Sequence, residues 1–158
     1  MPIQAELAQD VKRQNENRLL WKDHDSPEAI EQMFMAEVGE LWEAITQSFV
    51  DDDLTNVVME IGDVAYLGLR HYEKYGFLTP KMLMYLGEVE DFCEEMGIDI
   101  NNAVTIKLIR NSYKYADYIM SNGRPYEEAT QVVKKTWKTF FGDVQFSYAY
   151  LEVLAYDA

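Results

Sequence analysis

Residues 27–75 read PEAIEQMFMAEVGELWEAITQSFVDDDLTNVVMEIGDVAYLGLRHYEKY, and the periodicity within them decides the fold. In the first half, Ile30, Met33, Phe34, Val38, Leu41, Trp42 and Ile45 recur at the 3.6-residue spacing of a helix. Ser26 before Pro27 is an N-cap followed by a first-turn proline, and Glu28 suits the positive helix end. This helix is predicted to reach about residue 48. Asp51-Asp52-Asp53 then supplies a turn and the next N-cap, and a partner helix is predicted over about 54–75, closed by Gly76. A short turn between two long helices implies an antiparallel hairpin.

Working outward, residues 3–21 read as an earlier helix, with Leu7, Val11, Leu19, Leu20 and Trp21 as its apolar positions. On the other side, Thr79-Pro80 repeats the cap-plus-proline signal and opens a helix that closes at Gly97. Asp99 caps a further helix over about 101–121, and Asn122-Gly123 ends it. Pro125 begins another to about residue 141, and Gly142-Asp143 sets off a last short segment. No stretch alternates long enough to be a strand. The expectation is therefore an all-α, antiparallel helical bundle forming one domain over residues 1–158, with a core over about 10–121 and a C-terminal helical extension over about 125–158.

Composition narrows the function classes. The 158 residues carry 28 acidic against 14 basic side chains, a net charge of −14, which repels nucleic-acid backbone and argues against stable nucleic-acid binding. No apolar run is long enough for a membrane span, and the first residues lack the pattern of a signal peptide. The lone Cys93 excludes an internal disulfide framework and a Cys-based zinc site, which fits a reducing cytoplasm. From Asp23 through Leu69 there are 12 acidic residues and no Lys or Arg. Such a run is ordinarily a solvated face, so the placement of the individual acids matters more than their number.

Two short motifs stand out. The first helix of the hairpin carries Glu37-Val38-Gly39-Glu40-Leu41 and the second carries Glu60-Ile61-Gly62-Asp63-Val64. Acids three apart on a helix share a face. In a hairpin turning near residue 50, positions whose numbers sum to about 100 lie at one height, which pairs Glu37 with Asp63 and Glu40 with Glu60. Four carboxylates are thereby expected at one level, about 15–20 Å from the turn at the helical rise per residue. On a helical wheel Glu37 falls within the apolar stripe between Phe34 and Leu41, Glu40 and Glu60 lie at stripe edges, and Asp63 lies further round. Gly39 and Gly62 each cost about 1 kcal/mol relative to Ala, which close helix approach or ligand access would explain.

Clustered carboxylates do not all ionise comfortably without a cation. An all-oxygen set suits Mg²⁺, with Mn²⁺ as a substitute, and neither hairpin helix has the Glu-x-x-His of di-iron bundles. The later helix offers Lys107, Arg110, Asn111 and Lys114 on one face, a basic stripe suited to a polyphosphate. Trp21 and Trp42 read as core positions rather than base-stacking platforms. His24 and Glu43 are assigned no role.

Glu-x-x-Glu, a short hairpin, Glu-x-x-Asp, and then a helix with Lys-x-x-x-Asn resembles the MazG-like all-α nucleoside triphosphate pyrophosphohydrolases, over roughly residues 10–115. The matching positions are Glu37, Glu40, Glu60, Asp63, Lys107 and Asn111. The resemblance implies that the four acids hold Mg²⁺ and that the Lys and Asn lie near phosphates and sugar. It also implies a dimer or tetramer whose sites draw on neighbouring subunits, and release of pyrophosphate with a nucleoside monophosphate left behind. Glu37, the acid expected to be the more buried, is the candidate to orient or deprotonate the attacking water; Lys107, with Arg110 or Lys114, would stabilise the leaving pyrophosphate. The competing readings are a phosphoribosyl-ATP pyrophosphohydrolase-like enzyme and a non-catalytic helical adaptor whose contact surface is Trp137, Phe140, Phe141, Phe146, Tyr148 and Tyr150.

Overall fold

A computed structural model describes the backbone of residues 3–16 and 26–121, and the side chains of 3–12 and 26–111. Trp21, His24, the side chain of Lys114, and the helices and aromatics expected beyond residue 122 lie outside the described residues. Within them the chain is all-helical, with no strand: α1 Ala5–Glu16, α2 Pro27–Asp51, α3 Thr55–Tyr75, α4 Pro80–Met96 and α5 Ile100–Ser121.

The helix ends follow from the caps. Ser26 Oγ accepts the Ala29 N–H at 3.1 Å, Thr79 Oγ1 accepts the Met82 N–H at 3.3 Å, and Asp99 accepts the Asn101 N–H at 2.9 Å. Each satisfies a donor that the first helical turn leaves open. The acidic turn works differently from the expectation. Asp52 enters the left-handed region (φ 53) and closes α2, while Asp53 accepts the Thr55 N–H at 2.9 Å from one residue before the helix boundary; Leu54 at the cap position makes no side-chain bond. Gly76 and Gly97 take positive φ and end α3 and α4.

α3 is the central helix. It packs most extensively on α2 and α5, and also on α1 and α4. Its sequence explains this: apolar residues at Val57, Val58, Ile61, Val64, Ala65, Tyr66, Leu67 and Leu69 surround the helix rather than forming one stripe. Every residue from Ile61 to His71 is buried. α2 is peripheral by comparison, burying Ile30, Phe34, Val38, Leu41, Ala44 and Ile45 on one face. Trp42, expected in the core, is instead 48% exposed: Leu41 and Ile45 lie to one side of it around the helix, which puts Trp42 at the edge of the single buried face.

Two buried polar residues of α3 carried no signal in the periodicity. Arg70 and His71 are 2% and 0% exposed. His71 Nδ1 donates to the Phe77 carbonyl at 2.7 Å, tying the end of α3 to the segment leading into α4, with the imidazole between the Tyr75 and Phe77 rings. The all-round apolar character of α3 was the available clue that even its polar side chains would be enclosed.

Candidate functional site

Glu37 comes from the middle of α2, and Glu60 and Asp63 from the first half of α3. Three of their oxygens lie within 4.8 Å of one another. The hairpin brings them together: α2 and α3, joined by the turn at Asp52, pack against each other. Glu40 stands outside this group of three and is exposed, although it is hydrogen-bonded to Glu37 and contributes its charge to both glutamates.

Electrostatics mark the cluster as crowded. Glu37 is raised from 4.5 to about 8, first by burial, then by the charge of Asp63, by the hydrogen bond to Glu40, and by the charges of Glu40 and Glu60. Glu60 is raised from 4.5 to about 7, again by burial first and then by the charges of Asp63 and Glu40; hydrogen bonding to Glu37 acts in the opposite direction. The Oε2 atoms of both glutamates are buried with no hydrogen-bond partner among the described residues. Such atoms are costly where they stand unless a cation takes them. The donor set, its spacing and these open oxygens fit a small divalent cation with a preference for oxygen ligands.

The burial ranking of the acids differs from the helical-wheel expectation. Asp63 is the most buried of the four at 8%, whereas Glu37 and Glu60 are intermediate. A wheel drawn for one stripe placed Asp63 outside the core, but α3 is covered on all sides. What covers Asp63 is α5: Lys107 Nζ lies 2.7 Å from its Oδ1 and Arg110 Nη1 lies 3.7 Å from the same atom. The Lys107 contact is an ion pair across two side chains that are 16% and 11% exposed. The basic stripe thus meets the acidic cluster at Lys107 and Arg110, while Asn111 is 2% exposed within the bundle.

Gly62 makes this meeting possible. A Cβ at that position would run into the Ala103 carbonyl and lie 3.4 Å from Lys107 Cβ, so the α3 backbone approaches α5 as closely as glycine allows. Gly39, its counterpart on α2, has nothing within 4 Å of a notional Cβ among the described residues. Close approach therefore explains one glycine of the pair and not the other. Cys93 takes no part: it is buried, and burial with the charges of Glu90 and Asp99 pushes the thiol up to about 11, far from a reactive thiolate.

Comparison with family models, curated proteins and solved structures finds no match to this chain.

Proposed function

We propose that the chain is a Mg²⁺-dependent nucleoside triphosphate pyrophosphohydrolase of the MazG-like all-α kind, converting an NTP or dNTP and water to the monophosphate and pyrophosphate. The observation that carries the reading is the juxtaposition of three carboxylates from two helices, within 4.8 Å, with two cationic side chains at their edge. Acids alone would suit many roles. Acids that meet Lys107 and Arg110 at one point suit a polyphosphate held between a cation and a basic rim.

Glu37, Glu60 and Asp63 would hold Mg²⁺ or Mn²⁺, with Glu40 beside them. When bound, the metal supplies neutralisation of phosphate charge and activation of water. The remaining work belongs to the chain. Glu37 is the carboxylate assigned to orient the attacking water or accept its proton. Water attacks the α-phosphorus, the α–β bridging bond breaks, and the electron pair leaves on pyrophosphate. Lys107 and Arg110, with Lys114 on the same face of the sequence, stabilise that charge. Asn111, assigned to the sugar or phosphates by the Lys-x-x-x-Asn spacing, is buried in the bundle.

As the resemblance implies, we propose assembly into a dimer or tetramer, for which exposed Trp42, Phe49, Val50, Leu83 and Met84 offer apolar side chains. We place the protein in a reducing cytoplasm; among the described residues no helix is long and apolar enough to cross a membrane. The same exposed side chains favour the second reading, a non-catalytic helical adaptor, since Phe49 and Val50 are 84% and 79% exposed.

The test is a pyrophosphate-release assay over all NTPs and dNTPs and phosphoribosyl-ATP, with Mg²⁺ and with chelator. The expected result is equimolar pyrophosphate and monophosphate from at least one triphosphate, abolished by chelator. An adaptor releases none across the panel. Turnover confined to phosphoribosyl-ATP would move the chain to that related activity.

A further inference from the structure

The ion pair at Asp63 has a consequence for how the site fills. Asp63 belongs to the group of three carboxylates suited to a cation, yet one of its oxygens already has an ammonium 2.7 Å away. The side chains of Lys107 and Asp63 are only 16% and 11% exposed, so this charge pair is largely withdrawn from water. Removing either partner alone would leave a poorly hydrated charge behind. The pair is therefore a standing occupation of the cluster by the chain's own cation.

We propose that Lys107 is an internal counter-ion that holds the carboxylate cluster in the absence of metal and is displaced by a divalent cation, which releases its ammonium toward the substrate's phosphates. This inference rests on the metal-dependent reading above and adds an order of events to it. Three features carry it. The lysine contacts one carboxylate of the group, so lysine and divalent ion compete for Asp63. The contact is made by a point charge on a flexible stem, so release needs only rotations of that stem. The stem's root is fixed, because Gly62 lets α5 approach α3 until Lys107 Cβ lies against the α3 backbone. A fixed root with a swinging tip keeps the released ammonium within reach of the site. Arg110 is the internal control, since it carries the same charge but stands 3.7 Å from the same oxygen.

Binding of metal and of polyphosphate then become coupled: the lysine cannot serve Asp63 and a phosphate at once. A triphosphate arriving without metal meets a lysine already engaged.

Two measurements test this without relying on turnover. The first is reductive methylation of the wild-type protein followed by mass spectrometry, with and without MgCl₂ at constant ionic strength, and with exposed Lys81 as reference. Loss of a charge-assisted contact is worth about 10- to 100-fold, so Lys107 labelling should rise by about tenfold or more when Mg²⁺ binds, with Lys81 unchanged. The second is calorimetric titration of MnCl₂ into wild type, Lys107→Met and Arg110→Met, each verified by circular dichroism. Lys107→Met should bind Mn²⁺ about tenfold more tightly than wild type, and Arg110→Met should change affinity much less. Unchanged or reduced Lys107 labelling at a Mg²⁺ concentration shown to saturate the protein would overturn the displacement while leaving the metal site standing. Equal tightening in the two variants would reduce the effect to through-space repulsion and overturn it as well. Absence of any Mn²⁺ binding to wild type would remove the metal-dependent reading itself, and the displacement with it.

Discussion

Glu37-Val38-Gly39-Glu40 on α2 and Glu60-Ile61-Gly62-Asp63 on α3 are near copies, and the bundle treats them differently. On α2 the glycine faces open space and the second acid is exposed. On α3 the glycine is pressed against α5, and the second acid is buried and paired with Lys107 and Arg110. The pattern is the same, but one helix is peripheral and the other central. Residue type selects the possible chemistry, and the number of neighbours a helix has decides which acid becomes an open ligand, which a neutralised one, and which a charged rim.

The largest contrast should appear in turnover. Asp63→Asn is expected to lower pyrophosphate release by more than about 100-fold, because it removes a ligand and strands the two cations of α5. Glu40→Gln, outside the group of three, should fall within the about 10- to 100-fold typical of residues that support ligands rather than bind metal. Steady-state kinetics at saturating Mg²⁺ check both; comparable losses would erase the proposed difference between the motifs.

The glycines offer a second contrast, in stability. Gly62→Ala should destabilise by roughly 1–3 kcal/mol, since its Cβ meets a backbone carbonyl rather than a movable side-chain end. Gly39→Ala should stabilise by up to about 1 kcal/mol, as expected for a helical glycine with free space around it. Urea unfolding of the two variants reads opposite signs if α3 and α5 approach as closely as described. A destabilised Gly39→Ala would point instead to a need for backbone access on α2.

A smaller effect concerns pH. Glu37 and Glu60 keep their protons to about 8 and 7 in the folded chain, against 4.5 for an ordinary glutamate. Between these limits the folded state binds more protons than the unfolded one, so stability falls as pH rises. The metal-free protein should melt at progressively lower temperature from pH 5 to pH 8, and Glu37→Gln should flatten part of that slope. A melting temperature that rises over this window would contradict the crowding of the carboxylates.

Much of this architecture was legible in the sequence because it depends on local rules. Ser26, Thr79 and Asp99 cap the helices they were expected to cap, and the hairpin geometry alone placed Glu37 level with Asp63. Trp42 was misjudged because a periodic apolar position marks one side of a helix without saying how much of that side finds a partner. Asp63 was misjudged for the complementary reason: a single-stripe wheel does not represent a helix enclosed by four others. The encounter of Lys107 with Asp63 depends on α3 and α5 lying side by side, a packing choice made across more than 40 residues of chain. Gly62 hinted that something came close, but not what.

The central claim is that these carboxylates form a cation site, and thermal melting with added Mg²⁺ tests it most directly. At about 100 times its dissociation constant a ligand contributes roughly 2.7 kcal/mol, which for a chain of this size is a rise of roughly 5–10 °C. Wild type should show that rise at matched ionic strength and fixed protein concentration, while Glu60→Gln, at least as stable as wild type without metal, should lose most of it. Small and equal responses in the two proteins, the signature of simple screening at a solvated acidic face, would contradict the account.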